Sequence, residues 1–321
     1  MSLLKTRVSI SEIEEFLTQK FGLDIKNIEI LKGGEISQAF SFENKSQKYV
    51  IKIRKVKKRF RKTNPFAKEI LIYKILKKRN PKIPIPKTIE QGIFKEYKRN
   101  KFIYSIVENI NGSFVHLFPE NKLRVVDESL VEMLYLIHTT KISDTRGYGY
   151  WEKWKKGNYK TMQEYILERL EKEKIYTNAR FSSGIFELEL YNEGAKKIQE
   201  LIKFCSFKRY LVHGDFGFDN VLADTEGKIT AVFDWEHSIY GDFVYDIAWL
   251  DFWGFRDEDN YSKLYCEKFK DSELLDFENY EKRLLCYKVY IGMSAAGFFS
   301  ESNQEDKYLA AKQRVLSLLL F

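Results

Sequence analysis

Cysteine is scarce. The three thiols among 321 residues, Cys205, Cys266 and Cys286, are widely spaced and odd in number, and no C-x-x-C spacing occurs. That argues against a disulfide framework or a zinc site, and for reduced, mostly buried thiols in a cytoplasmic protein. No apolar run reaches the length needed to span a bilayer, and MSLLKTRVSISEIEEF is charged too early for a signal peptide. Internal repeats are lacking too. Long disordered tracts are not expected, because aromatics make up 16% of the chain. With 44% hydrophobic residues the chain can build a large core, split into two domains or lobes.

What is abundant is charge, unevenly placed. Residues 1–100 carry 25 Lys and Arg against 10 Asp and Glu, whereas the rest of the chain carries 29 against 36. A basic first part and an acidic remainder suit two ligands of opposite charge, unless both are ordinary solvated surfaces. The most basic stretch, KVKKRFRKTNPFAK, invites a nucleic-acid or anionic-membrane reading. It lacks aromatics interleaved for base stacking and lies in a strand-to-helix loop, so neither partner is expected. A monomer is expected.

The periodicity predicts a short amphipathic helix over 10–22, stopped by Gly22. Strands follow at 27–31, 38–44 and 48–54. EILIYKILKK repeats apolar residues at helical spacing, ended by Pro81, Pro84 and Pro86, and further strands cover 87–94 and 101–110. After residue 110 the pattern turns helical: a helix ending near His138, then 159–173, 188–206, 244–252 and 280–297. The fold class expected is α+β and bilobal, with a small β-rich N-lobe holding one main helix and a larger, mainly helical C-lobe. The expected boundaries are 1–106 for the N-terminal lobe, 107–113 for the hinge, and 114–321 for the C-terminal lobe.

One stretch carries chemistry. HGDFGFDN, residues 213–220, follows an apolar run and precedes a hairpin, VLA–DTEG–KITAVF, that ends on Asp234. The hairpin brings Asn220, at the start of one strand, beside Asp234, at the end of the other. The loop before Asn220 carries Asp215 toward the same edge. An amide oxygen and a carboxylate at strand ends suit Mg²⁺, a hard cation that keeps waters and takes phosphate oxygens. Asp215 is left to accept a proton from a hydroxyl. These are the parts for phosphoryl transfer from a nucleotide to an alcohol. The spacing H-x-D-x-x-x-x-N matches the protein-kinase catalytic loop. Three departures argue for a small-molecule kinase: Gly214 replaces the Arg of H-R-D, Trp235-Glu236 follow the metal Asp, and no A-P-E sequence occurs downstream.

The run LVHGDFGFDNVLADTEGKITAVFDWEHSIYGDFVYDIAWLDFW resembles the signature of the aminoglycoside phosphotransferase family. The likeness extends to GEISQAFSF, RGYGYW and YEKRLLCYKVYIGM, and so covers nearly the whole chain in order. The resemblance implies a kinase-like fold, ATP or GTP as donor and Mg²⁺ as cofactor. It further implies a cationic acceptor, an aminoglycoside-type antibiotic such as hygromycin B, with resistance as the outcome. A metabolic kinase of the same fold, acting on choline, a sugar or an amino acid, is the alternative. Asp246 corresponds to a family position that braces the catalytic loop.

For the nucleotide, Lys52 lies between Ile51 and Ile53 in a strand and so points away from both. A Lys there is costly unless paired, and Glu69 on the following helix is the natural partner. Gly33, Gly34 and Ser37, between the first two strands, let backbone amides and a hydroxyl approach the phosphates. Glu108, Asn109 and Ile110, with Val107, offer backbone groups to the base. His213 reads as a structural brace for the loop rather than a general base. For the acceptor, Glu164, Glu236, Asp251 and Glu301 are candidate carboxylates. Tyr148, Tyr150, Trp151 and Trp154 form either a sugar-stacking surface or a core anchor.

Overall fold

The computed structural model of the chain describes residues 5–22, 24–31, 34–56, 64–97, 100–181, 185–254, 256 and 260–321. It forms two compact units: Met1–Phe118 with Asp219–Glu236, and Pro119–Phe218 with His237–Phe321. The basic residues 57–63 of the KVKKRFRKTNPFAK stretch, and Gly33, lie outside the described residues.

The first unit opens with α1 (Ile10–Phe21). Ser9 and Glu12 close a capping box at its start, and Gly22, at φ 88°, ends it. Ile13 and Leu17, four residues apart, are its buried stripe. Then come β1 (Ile25–Leu31), β2 (Gln38–Asn44), β3 (Gln47–Val56), α2 (Ala67–Arg79), β4 (Thr88–Tyr97) and β5 (Asn100–Glu108). The five strands form one antiparallel sheet in the order β1-β2-β3-β5-β4. Strand alternation sorts β3 into two faces. Ile51 and Ile53 enter a core with Ile13, Leu17, Phe40, Phe42, Tyr104 and Ile106. Lys52 and Arg54 take the opposite face. β3 is paired on both sides from Tyr49 to Ile53, the stretch that carries Lys52. The short β6 (Ser113–Phe114) follows.

The second unit begins with α3 (Glu120–His138), whose Val126, Leu130, Leu134 and Ile137 are fully buried. It continues through β7 (Gly149–Tyr150), α4 (Met162–Phe181), α5 (Leu188–Leu201) and β8 (Tyr210–Val212). The chain next returns to the first unit for β9 (Val221–Ala223) and β10 (Ile229–Val232), a hairpin with Val221 opposite Val232. The Asp224 carboxylate accepts the amides of Glu226 and Lys228 and fixes the turn. This hairpin belongs to the first unit because β9 pairs with β6 and the Val232 amide donates to the Pro84 carbonyl. Back in the second unit are β11 (Ile239–Gly241), α6 (Val244–Trp253), α7 (Tyr261–Phe269), α8 (Tyr280–Glu301) and α9 (Glu305–Leu319). β11 sits between β7 and β8 in a small sheet.

The α+β class and the β-rich, then helical, order are as expected. The helix foreseen over 159–173 instead begins at Met162 and runs to Phe181, and the one foreseen over 188–206 closes at Leu201 with a 3₁₀ turn. In the second unit Arg283 of α8 and Asp242 form a fully buried ion pair. The same carboxylate accepts the Tyr287 hydroxyl at 3.1 Å and the Ser206 amide at 3.2 Å. Burial alone would lower the pKa of Arg283, but Asp242 holds it above the ordinary value.

Candidate active site

The candidate residues fall into two halves, one in each unit. In the first, Lys52 reaches from β3 to α2, where its Nζ lies 3.2 Å from Glu69 Oε1. Burial pulls the ammonium pKa down, yet attraction by Glu69, Asp234 and Glu236 leaves it raised. Glu69 is also pushed up, chiefly by burial and further by Asp234 and Glu236, against the pull of Lys52. The two shifts pull the pair in opposite directions. The ionised pair is the state at neutral pH, because a charged Lys52 at this depth needs its carboxylate.

Asp234 follows β10 at φ 64°, a left-handed conformation that Asp tolerates better than most residues. The Phe233 amide donates to the Asn220 carbonyl at 3.1 Å, which continues the β9–β10 register and sets Asn220 opposite Phe233, the residue before Asp234. The Phe233 ring centroid lies 5.3 Å from Lys52 Nζ. Among the described residues no group of three or more His, Cys, Asp or Glu is placed to hold a metal. One carboxylate and one amide fit a cation that retains waters and phosphate oxygens better than one needing a full protein cage.

The glycine-containing loop keeps Gly34 at φ 64°. Its carbonyl accepts Lys5 Nζ at 2.5 Å, and the Thr6 amide donates to the Ile36 carbonyl, so the segment before α1 braces this loop. At the end of β5 and just past it, the amides of Glu108 and Asn109 donate to the carbonyls of Lys87 and Lys48.

The second half is a loop made rigid from within. Asp246, in the first turn of α6, is fully buried. One of its oxygens accepts the His213 amide and the other the Gly214 amide, both at 2.8 Å. His138 Nε2 is 3.1 Å from the same carboxylate, and His138 Nδ1 is 2.8 Å from the Tyr265 hydroxyl. The set is satisfied when Nε2 carries the proton and Tyr265 donates to Nδ1. His213 is buried, and its Nδ1 accepts the Asp215 amide at 3.3 Å. Gly214 sits at φ 81°, and a Cβ there would lie 2.2 Å from the His237 carbonyl oxygen. No Arg fits where protein kinases have one. Of residues 211–218, Asp215 alone is not buried.

Some candidates go elsewhere. Glu164 accepts the Lys160 amide at 2.7 Å. Asp251 accepts the Ser262 amide at the start of α7 and lies 3.5 Å from Lys288. Glu236 pairs with Arg54. Glu301 is exposed near the end of α8. Trp151 and Trp154 are buried against Tyr240, Trp151 stacked on it and Trp154 edge-on, so they anchor the core. Three residues beside the candidates escaped the sequence reading: Lys5, Arg54 and Lys68. Only Arg54 left a signal there, since it shares the strand face of Lys52.

Residues 27–281 match the phosphotransferase enzyme family, of aminoglycoside phosphotransferase type. The chain belongs to this family. As such it is a kinase that moves a phosphoryl group from a nucleotide to a hydroxyl. This phosphotransferase is 28% identical over 257 residues to hygromycin-B 4-O-kinase of Escherichia coli, covering 78% of this chain and 68% of the relative. The crystal structure of aminoglycoside phosphotransferase APH(4)-Ia matches with a TM-score of 0.78 at 25% identity, over 97% of this chain and 99% of that one. A thermostable mutant of the same enzyme, in ternary complex with ADP and hygromycin B, matches equally well, over 96% and 98%.

Proposed function

We propose that this phosphotransferase moves the γ-phosphate of ATP or GTP to a hydroxyl of hygromycin B or a closely related aminoglycoside, and so confers resistance. The observation that carries the catalytic half is Asp215, the one residue of 211–218 that is not buried, just after two backbone amides held by Asp246. Asp215 orients the acceptor hydroxyl and takes its proton as the bond to phosphorus forms. Lys52, kept charged by Glu69, holds the donor phosphates. Asn220 and Asp234 would hold Mg²⁺, which offsets charge on the transferring group. Gly34 and Ser37, with Gly33, cradle phosphate oxygens. The stretch 107–113 serves as the joint against which the base lies. With the Glu108 and Asn109 amides engaged, Ile110 supplies the donor. The enzyme works as a cytoplasmic monomer.

The acceptor rests on the likeness to the hygromycin-B kinase. The test is ADP or GDP release by the purified chain with Mg²⁺ and either ATP or GTP. The panel comprises hygromycin B, other aminoglycosides, choline, sugars and amino acids, with the product checked for one added phosphate by mass. Hygromycin B is expected to give the highest kcat/KM. Turnover confined to choline, a sugar or an amino acid would overturn the acceptor and leave a metabolic kinase.

A further inference from the structure

Glu236 was an acceptor candidate, but its surroundings give it another task. It lies two residues beyond Asp234, on the 3₁₀ turn Trp235–His237. A non-glycine residue at φ 64° persists when neighbours hold it there. On the hairpin side the hold is visible: the Phe233 amide bonds to Asn220, and the buried Trp235 indole donates to the Val232 carbonyl at 3.2 Å. On the other side stands Glu236. Its carboxylate is paired with the Arg54 guanidinium, and its backbone carbonyl accepts Lys68 Nζ at 3.2 Å. Arg54 is two residues from Lys52 on the same face of β3. Lys68, itself buried, adjoins Glu69 on α2.

The same strand and the same helix turn thus grip two things at once. Lys52 and Glu69 form one pair; Arg54 and Lys68 secure the turn that carries Asp234. We propose that Arg54 and Lys68, acting through Glu236, are positioning residues that fix the Asp234 carboxylate for the metal–nucleotide complex. This rests on the reading of Asp234 as a metal ligand. Groups that orient a metal ligand without touching the metal typically alter metal affinity by about 10–100-fold when removed. Glu236 is therefore spent on the turn and does not bind the acceptor's ammonium groups.

The test measures ADP binding by calorimetry with and without Mg²⁺, and activity titrated against Mg²⁺, on the full chain. Arg54→Met is expected to raise the Mg²⁺ needed for half-maximal activity by about tenfold or more, and to shrink the Mg²⁺-dependent gain in ADP affinity. Affinity for ADP without metal should stay unchanged. Arg54→Lys keeps one charge-assisted bond within reach and should restore most of the gain. Glu236→Gln preserves size and should repeat the Arg54→Met pattern; it serves in its place if that variant melts early. An unchanged Mg²⁺ dependence in both variants overturns the proposal. So does an equal loss of ADP affinity with and without metal, which would make Arg54 a direct nucleotide contact. Asp234→Asn separates the two levels. If it keeps the full Mg²⁺ gain, the metal reading has failed and the positioning role with it; if it loses the gain while Arg54→Met does not, only the positioning role falls.

Discussion

The two sets of candidate residues, one in each unit, fix a carboxylate by different physics. In the first unit, Asp234 stands among long charged side chains: Lys52, Arg54 and Lys68 on one side of the ledger of charge, Glu69 and Glu236 on the other. In the second, Asp215 rides on a loop whose neighbouring amides are held by one buried acceptor, Asp246, with no Lys or Arg in the hydrogen bonds described. The first arrangement suits a site that meets a polyanion and a metal, since flexible charges redistribute when a ligand brings its own. The second suits a group that must stay in place while a proton moves. Catalysis by position depends on stiff backbone, and catalysis by charge on ions that are already compensated.

The sharpest way to separate the halves is Asp215→Asn. It retains shape but cannot take a proton, so turnover should fall on the order of 10²–10⁴, or ~3–5 kcal/mol of barrier. Nucleotide affinity, a property of the other half, should not move. Single-turnover phosphorylation with parallel calorimetry reads both. Near-normal transfer would remove Asp215 from catalysis.

Next is Lys52→Ala, with an expected loss of about 10²–10³ in kcat, as for removal of one donor aimed at developing charge. It also strands Glu69, whose carboxyl is already pushed up by burial and by Asp234 and Glu236. Nucleoside affinity should change less than nucleotide affinity; equal losses would mean that Lys52 supports the fold and not the phosphates.

Asp246→Ala tests the stiff half. It leaves two buried amides without their acceptor and His138 Nε2 without its partner, for an expected destabilisation of about 3 kcal/mol. The urea midpoint reports it. A loss below about 1 kcal/mol would mean that the loop is held by something else.

The smallest effect lies far from the chemistry. Glu12 is held down to about 2, first by its hydrogen bond to Lys95 and then by the Ser9 amide of the capping box. A folded-state value below the ordinary 4.5 gives stability that is fully present above pH 4.5 and is lost as pH falls toward 2. Both side chains are more than a third exposed, so the contribution is modest. Glu12→Gln should lower neutral stability by that modest amount and converge with the parent chain near pH 2, which flattens the acid limb of the melting profile in that window.

Legibility followed the range of the interactions. The Asn220–Asp234 hairpin, Lys52 between Ile51 and Ile53, and the Gly22 stop were readable because each depends on alternation, spacing or turn chemistry within a few residues. The Arg54–Glu236 and Lys68–Glu236 tethers were not, since 182 and 168 residues separate the partners and nothing local marks them. Trp151 and Trp154 stayed ambiguous for another reason. An aromatic cluster has the same composition in a core as on a sugar-binding surface, and only Tyr240, brought in by β11, decides it. β11 itself is three residues long, too short for any periodicity to show.

Arg283 and Asp242 also fix the register of α8 against its neighbours. α8 presents a long row of apolar and aromatic residues, Tyr280, Leu284, Tyr287 and Ile291, and such a surface can slide past its neighbours by one helical turn with little change in area covered. A guanidinium that must meet one carboxylate cannot slide. In any shifted docking it would face apolar side chains unpaired, at a cost of several kcal/mol. The pair thus acts as a dowel: it adds little to the depth of the native minimum and removes the neighbouring ones.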